Sequence, residues 1–154
     1  MSVQPQMGLK SSMANYTIRY FSIEDYHRVF ALWQATEGMG LSEADSEENI
    51  HRYLERNPGF SFVALNIDRI IGAVLCGHDG RRGLLHHLAV DKSYRRQGIG
   101  QILAGKCQDA LKAAGIEKCH LFVYIDNIEA QIFWEKTGWD LRKDIVIMSK
   151  VISK

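Results

Sequence analysis

The segment from Asp91 to Gln101 carries residue types that can hold an anion. Gly98 and Gly100 have no side chains, so another molecule can approach the backbone closely. A helix is predicted to begin near Gly98, and the first turn of a helix offers unpaired N–H groups and the positive end of its dipole. Three cationic side chains stand beside it: Lys92, Arg95 and Arg96. This combination favours a pyrophosphate or a phosphomonoester over a single carboxylate.

Two common phosphate-binding loops do not fit this segment. A P-loop has Lys and Ser or Thr directly after its last glycine, but Gln101 and Ile102 follow Gly100. The dinucleotide fingerprint has a third glycine, and Leu103 occupies that position. ATP and NAD are therefore disfavoured as ligands. A Gly-x-Gly sequence alone fits an ordinary helix start as well as a ligand site, so both interpretations stay open at this point.

Imidazole and thiol groups are further candidates for chemistry. His86 and His87 are adjacent on a predicted strand, so alternation places them on opposite faces and only one of them faces a cleft. Imidazole exchanges protons near neutral pH, as a general base requires. Cys76, Cys107 and Cys119 follow no framework spacing, and we interpret them as small buried hydrophobic residues rather than nucleophiles.

Length and composition restrict the class of protein to which this chain can belong. The 154 residues, 46% of them hydrophobic, fit one soluble globular domain. Nineteen Lys and Arg against eighteen Asp and Glu give a formal charge of +1, which argues against a nucleic-acid partner. No apolar run approaches the ~18 residues of a membrane span, and an odd number of cysteines favours a reducing cytoplasm. Residues 1–14 are predicted to be a flexible tail and residues 15–154 a single domain.

Hydrophobic periodicity predicts the elements that position these residues. Apolar runs predict strands at 16–20, 60–65, 70–76, 83–90 and 119–125, with one or two closing strands within 139–151. Apolar stripes and cap residues predict helices that begin near Ser22 and that span 46–56, 99–114 and 130–136. The order is β-α-α-β-β-β-α-β-α-β-β, a mixed α/β fold. The candidate anion loop joins the strand at 83–90 to the helix at 99–114.

Two motifs in this order resemble those of one family. Arg95-Arg96-Gln97-Gly98-Ile99-Gly100, preceded by Leu88-Ala89-Val90, resembles the acetyl-CoA loop of the GCN5-related N-acetyltransferase (GNAT) family, whose pattern is Gln/Arg-x-x-Gly-x-Gly/Ala. Asn127-x-x-Ala130-x-x-Phe133-Trp134-Glu135-Lys136-x-Gly138-Trp139 resembles the family's Asn-x-x-Ala-x-x-Phe-Tyr-Glu-Lys-x-Gly-Phe segment. The resemblance covers about residues 16–150 and implies the acyl-CoA N-acyltransferase fold, a mixed α/β sheet architecture.

The resemblance implies how acetyl-CoA, the cosubstrate, is bound. The pantetheine arm would pair with the backbone of Leu88, Ala89 and Val90, because the family's fourth and fifth strands splay apart there. The pyrophosphate would be held by the backbone N–H groups of Gln97, Gly98, Ile99, Gly100 and Gln101, with Arg95 and Arg96 near its charge. Asn127 would hydrogen-bond the pantetheine from the other side, and Phe133 would pack beside it. No metal is required.

Catalytic roles also follow from the resemblance. His86 matches, in phase with the strand, a histidine of arylalkylamine acetyltransferases and is the expected general base, although a structural role for this ring stays open. The second histidine of that arrangement falls on Leu84, and Glu37 is the alternative base. The backbone N–H of Val90 is the expected oxyanion donor.

The group that protonates the leaving thiolate is the largest departure from the family pattern. Trp134 stands where the family has a tyrosine, and an indole N–H has no useful acidity at neutral pH. The thiolate would leave unaided, through water or with a proton from Tyr124. Trp134 can still donate a hydrogen bond to the sulfur.

An acidic segment suggests the charge of the acceptor. Between Val29 and His51 there is no Lys or Arg, and by resemblance this segment borders the acceptor site. It contains five carboxylates: Glu37, Glu43, Asp45, Glu47 and Glu48. They favour a cationic acceptor, although acidic residues at helix starts also simply complement the helix dipole.

We therefore predict a cytoplasmic, acetyl-CoA-dependent N-acetyltransferase. Its acceptor would be a primary amine, either a small cationic amine or a peptide or protein N-terminus, which attacks the thioester directly in a ternary complex. No nucleic-acid or membrane partner is expected, and a homodimer is an open alternative. A catalytically weak acyl-CoA-binding sensor or regulatory module is the alternative function, and a transferase of another acyl group or to an oxygen acceptor is a third.

Overall fold

A computed structural model describes residues 15–153, so the tail predicted at 1–14 lies outside the described residues. The chain divides into two compact units, one ending at Phe122 and the other beginning at Val123. That residues 15–154 act as a single domain stays a prediction. Within the described range, no helix combines the length and the apolar character needed to cross a bilayer.

The elements confirm the predicted mixed α/β class. The first unit contains β1 (Thr17–Tyr20), α1 (Tyr26–Gln34), α2 (Glu47–Arg56), β2 (Phe62–Asn66), β3 (Arg69–His78), β4 (Gly83–Val90), α3 (Ile99–Ala113) and β5 (Cys119–Leu121). The second unit contains α4 (Ile128–Lys136). Short 3-10 turns lie at Ile23–Asp25, Glu43–Asp45 and Lys92–Tyr94.

The strands form one sheet in the order β1-β2-β3-β4-β5. The first four strands are antiparallel neighbours, whereas β5 runs parallel to β4, with α3 as the crossover that parallel pairing needs. The β4–β5 pairing runs from Gly83 with Cys119 to Leu85 with Leu121 and then stops. In the part of the chain that the structure describes, β4 beyond Leu85 therefore has no strand beside it on that edge.

Helices cover both faces of the sheet. β3 is buried along nearly its whole length, as its almost unbroken apolar sequence requires. On one face, Ala73 packs in a cluster with Val29 and Trp33 of α1. On the other face, a Cβ built on Gly72 would lie 3.0 Å from Leu103 of α3, so helix and sheet approach closely there.

The predicted start of the first helix near Ser22 is confirmed by the hydrogen bonds there. The Ser22 N–H donates to the Asp25 carboxylate at 2.9 Å. Burial acts to raise the pKa of Asp25, but hydrogen bonds from Arg19 and the Ser22 amide hold it below its usual range. Arg19 at 2.8 Å and Arg28 at 2.9 Å both pair with this buried carboxylate, which joins β1 to the first turn of α1.

The C-terminal part of the chain differs from its predicted elements. β5 ends at Leu121 instead of reaching Ile125, and residues 139–153 form no strand, so the closing strands predicted there are absent. Val146 and Met148, 83% and 91% exposed, belong to an apolar run that has the right composition for a strand. A strand needs a neighbour to pair with, and residues 123–153 of the second unit contain none. Ile102, predicted on the inner stripe of α3, is also exposed.

Candidate active site

The last residue of β4 directs its backbone groups away from β3. The Asp91 N–H donates to the Ile71 carbonyl of β3 at 2.8 Å. Successive residues of a strand point their N–H groups to opposite sides, so the Val90 N–H points toward the edge that β5 leaves unpaired. An extended molecule can pair with such an edge as an additional strand. The Val90 N–H, the predicted oxyanion donor, lies on this edge.

Side-chain hydrogen bonds shape the turn after β4. Asp91 accepts from the Ser93 N–H at 2.9 Å and pairs with Arg69 at 2.8 Å. The Ser93 amide and the Arg69 guanidinium hold the pKa of Asp91 below its usual range. Arg95 then donates from Nε to the Val90 carbonyl at 2.9 Å, which brings the loop back to the end of β4.

The loop opens α3 through two residues in the left-handed backbone region. Arg96 has φ of 66° and Gly98 has φ of 82°, and Gly98 is the N-cap of α3. This conformation costs a residue with a side chain about 1–2 kcal/mol, and glycine nearly nothing. A Cβ built on Gly98 would meet no atom within 4 Å, so the backbone here is open to an approaching molecule.

The predicted pyrophosphate residues form the first turn of α3 and the exposed loop before it. Gln97, Gly98 and Gln101 are exposed and Gly100 is half-buried. Ile99 is only 1% exposed and anchors the helix start in the core. A buried anchor beneath exposed backbone groups holds the N–H donors of the first turn in place.

A carboxylate from the loop after α1 forms ion pairs with two of the three cationic side chains that are predicted to face the anion. Glu37 pairs with Lys92 at 3.1 Å and with Arg95 at 3.4 Å. Its own backbone N–H and the Lys92 ammonium lower the pKa of Glu37 to about 2. A carboxylate that stays ionised this strongly is a weak proton acceptor at neutral pH, which speaks against Glu37 as the base. Among residues 15–153, Arg96 forms no ion pair.

A β-bulge changes the placement of the two histidines. Ala73 pairs with Ala89 and Leu75 with His86, so one residue of β3 faces two of β4. His87 lies in this bulge with φ of 52°. The expectation of opposite faces is therefore wrong: the two rings have centroids 6.3 Å apart, because the left-handed residue interrupts the alternation.

His86 lies in a largely apolar environment. Its ring contacts those of Tyr53 and Phe122, with centroids 6.1 and 6.4 Å away. Burial and the neighbouring His87 lower the pKa of His86 below 6.5, and Asp45 opposes that shift. Burial therefore disfavours the charged form of this ring.

His87 has a carboxylate partner that sequence reasoning missed. Its Nε2 lies 2.8 Å from Oδ1 of Asp45, which is 42 residues away in the sequence. The side chains are 19% and 9% exposed, and the ring also packs against the indole of Trp33 at 5.0 Å. Asp45 is one of the five acidic residues, but only the Ser42-x-x-Asp45 spacing hinted that its side chain turns back toward the fold.

Other members of the acidic segment also have basic neighbours. Glu47 lies 3.4 Å from His27, and Glu48 lies 3.9 Å from Arg52. The contacts of Glu37 with Lys92 and Arg95 and of Glu48 with Arg52 leave less unpaired negative charge than the sequence suggested.

The three cysteines are in the predicted kind of environment. Cys76 and Cys107 are buried and Cys119 is half-buried, all as free thiols. The contact with Cys107 raises the pKa of Cys76, and the contact with Cys76 raises that of Cys119. Neutral, buried thiols are poor nucleophiles, so the interpretation as hydrophobic residues agrees with the structure.

The second unit contains four of the predicted site residues. Asn127 caps α4, with Oδ1 accepting from the Ala130 N–H at 3.2 Å. Trp134 is buried between Phe133 and Trp139, whose ring centroids lie 4.9 and 5.2 Å from it. Tyr124 is 61% exposed. Trp134 therefore has a packing role in this unit.

Comparison with known proteins decides the family. The sequence model of the acetyltransferase (GNAT) family matches residues 26–139, most of the chain. The chain belongs to this family. An acetyltransferase of Photorhabdus laumondii is 31% identical to this GNAT chain over 134 residues, which are 86% of this chain and 93% of that protein.

Solved structures agree with the GNAT fold. Ard1 from Thermoplasma volcanium superposes with a TM-score of 0.74 at 22% identity, over 84% of this chain and 85% of its own. The PaiA N-acetyltransferase from Thermoplasma acidophilum, solved in complex with coenzyme A, gives 0.71 at 22% identity, over 82% and 91%. At 22% identity these structures show only that the fold is shared. A shared fold does not determine which acceptor substrate is used.

Proposed function

We propose that this GNAT chain transfers an acetyl group from acetyl-CoA to a primary amine, by direct attack in a ternary complex. The observation that carries the proposal is the start of α3. Gly98 has a left-handed conformation with free space at its Cβ position, and Arg95 ties this loop to the end of β4, whose edge is unpaired. Exposed helix N–H groups suit the diphosphate, and the strand edge suits the amides of the pantetheine.

Each segment has its own part in binding acetyl-CoA. The N–H groups from Gln97 to Gln101 would hold the diphosphate, with Arg96 as the available cation and Arg95 released from Glu37. The backbone of Leu88, Ala89 and Val90 would pair with the pantetheine. Asn127 and Phe133 are assigned to the pantetheine because the 127–139 segment has the family pattern.

The reaction needs a free amine, an oxyanion donor and a proton for the thiolate. We assign the removal of the amine proton to a histidine of β4, with His86 as the base that the sequence predicts, and the oxyanion to the Val90 N–H. Since Trp134 cannot supply a proton, the thiolate takes one from Tyr124 or from water. This missing acid also favours the second candidate function, a catalytically weak acyl-CoA-binding module.

The acceptor class follows from charge. We propose a small cationic amine or a peptide N-terminus, supported by the absence of Lys and Arg between Val29 and His51. The ion pairs of this segment reduce the steering that its carboxylates supply, so modest acceptor affinity is expected. A cytoplasmic location is part of the proposal, and three free cysteines support it.

A melting scan with acetyl-CoA, CoA, ATP and NAD tests the ligand. A ligand at ~100 times its dissociation constant adds about 2.7 kcal/mol, which raises the melting temperature by several degrees in a chain of this size. We expect this shift with acetyl-CoA and CoA. A shift with ATP or NAD alone would refute the proposal.

Thiol release with acetyl-CoA and a panel of amines tests turnover. The panel contains spermidine, tyramine and a hexapeptide with a free N-terminus, and its acetylated counterpart is the matched control. Release with at least one free amine supports the enzyme. Binding of acetyl-CoA without release for any amine would favour the binding module. Light scattering on the same sample distinguishes a monomer from a homodimer.

A further inference from the structure

Three features converge on His87, which neither the motifs nor the family pattern singles out. Its backbone is left-handed, a conformation that is unfavourable for histidine and that persists only where the surroundings enforce it. Its Nε2 faces a carboxylate that is 9% exposed. It directly precedes Leu88, where the proposed pantetheine strand begins. Strained residues with buried charge partners are concentrated at functional sites.

We propose that His87, oriented by Asp45, is the general base that takes the proton from the acceptor amine. This inference rests on the proposed acetyl transfer and assigns within it the proton acceptor and its positioning residue. It replaces His86 in that role.

Asp45 is itself held in place from two sides. Its carboxylate accepts from the Ser42 N–H at 3.0 Å, and its backbone carbonyl accepts from the Tyr26 hydroxyl at 2.6 Å. The 3-10 turn that carries Asp45 is thereby fixed to α1, and the packing of Trp33 on the ring limits its rotation. A carboxylate held in this way selects the tautomer of its imidazole partner.

The contact with Asp45 uses one nitrogen of the His87 ring and leaves the other available to accept a proton. With Nε2–H donating to Asp45, Nδ1 carries the lone pair, and no hydrogen bond to Nδ1 is found among residues 15–153. Protonation at Nδ1 produces an imidazolium whose charge the Asp45 carboxylate stabilises directly. His86 has no such partner in the described chain, and burial disfavours its charged form.

The proposed step balances as follows. The ammonium form of the acceptor gives one proton to Nδ1 of His87, and the freed lone pair forms a C–N bond to the thioester carbon. The C–S bond then breaks, and the thiolate leaves with its electron pair. The second nitrogen proton reaches the thiolate through water or the Tyr124 hydroxyl, and His87 returns its proton to water, so the products are the amide, CoA and one proton.

Groups from three elements face His87. Asp45 comes from the 3-10 turn and His86 from β4, while α1 contributes the neutral Trp33. The Tyr26 hydroxyl donates a hydrogen bond to the backbone carbonyl of Asp45.

The test compares four variants with the parent chain, using acetyl-CoA and the amine of the panel that the parent acetylates fastest. His87→Asn is chosen because asparagine tolerates the left-handed conformation but cannot accept the proton. Asp45→Asn keeps the shape and removes the charge, and His86→Gln addresses the rival base. His27→Asn, at a histidine whose side chain is 81% exposed, is the matched control. Each is measured for melting temperature, acetyl-CoA affinity and kcat from pH 6 to pH 10.

We expect His87→Asn to lose kcat about 100-fold at pH 7 with acetyl-CoA affinity unchanged, and to approach the parent at high pH, where the amine is already unprotonated. Asp45→Asn should lose about 10-fold in kcat with acetyl-CoA affinity unchanged, because the ring loses the group that orients it. The His86→Gln loss should be smaller than that of His87→Asn.

Four results would overturn the assignment. An unchanged kcat in His87→Asn removes His87 from the chemistry, and a larger loss in His86→Gln makes His86 the base; both leave the proposed function intact. An equal loss of acetyl-CoA affinity and kcat in His87→Asn would make the residue structural. If the parent acetylates no amine, the proposed function fails first, and this inference fails with it.

Discussion

The two ends of the candidate site along β4 use different parts of the chain. Between Val90 and Gly98, the groups proposed to bind acetyl-CoA are backbone N–H donors on an exposed loop, and the residues are contiguous in sequence. At His87, the useful groups are side chains brought together by a bulge and by Asp45, which is 42 residues away. We expect the first end to tolerate most side-chain changes except at the glycine, and the second to depend on the identity of each side chain.

Replacement of Gly98 by glutamate should have the largest effect on the loop end. The side chain would adopt an unfavourable left-handed conformation and place a negative charge where the diphosphate binds. We expect acetyl-CoA affinity to fall about 100-fold, or about 2.7 kcal/mol, in titration calorimetry. An unchanged dissociation constant in a folded variant would show that the diphosphate lies elsewhere.

Removal of the Asp45 carboxylate should have the largest effect on stability at the histidine end. Asp45→Ala leaves the Ser42 N–H and His87 Nε2 without their acceptor in a mostly buried environment. We expect the free energy of unfolding in urea to fall by about 2–3 kcal/mol. Glu48→Ala is the matched control, because that carboxylate is 89% exposed and pairs with Arg52 only at 3.9 Å; it should change stability by less than about 0.5 kcal/mol. Equal losses in both variants would contradict the comparison.

The loop end could be predicted because its signals are local. β4 spans Gly83–Val90 as predicted and α3 begins at Ile99, since continuous apolar runs and a glycine before a helix act over neighbouring residues. The histidine end could not be predicted in the same way. The residue type of His87 does not by itself predict a left-handed conformation, and Asp45 meets it only through tertiary structure. The prediction of strands within 139–151 failed for a different reason. The apolar residues there have the composition of a strand, but a strand does not form without a neighbour to pair with.

The pH dependence of stability should show the effect of burying His86. Because the pKa of His86 is lowered in the folded chain, the unfolded chain binds the proton first as the pH falls below 6.5. His86 therefore has no effect above this range and destabilises the fold progressively below it. We expect urea unfolding between pH 8 and pH 5 to show a smaller loss of stability in His86→Gln than in the parent. A parallel loss in both would show that His86 is equally hydrated in the folded and unfolded chains.

Replacement of Gly105 by alanine should give the smallest effect and sharpens the interpretation of Gly98. Both glycines have free space at the Cβ position, but Gly105 lies within α3 whereas Gly98 has φ of 82°. Since alanine is the better helix former, Gly105→Ala should raise the free energy of unfolding by about 0.5–1 kcal/mol, and Gly98→Ala should lower it by about 1 kcal/mol. Opposite signs in urea unfolding would show that backbone conformation, and not crowding, requires glycine at position 98. Because Gly105 lies beyond the first turn, its variant should bind acetyl-CoA like the parent, so a loss of affinity there would mean that α3 contributes to binding beyond its N-terminus.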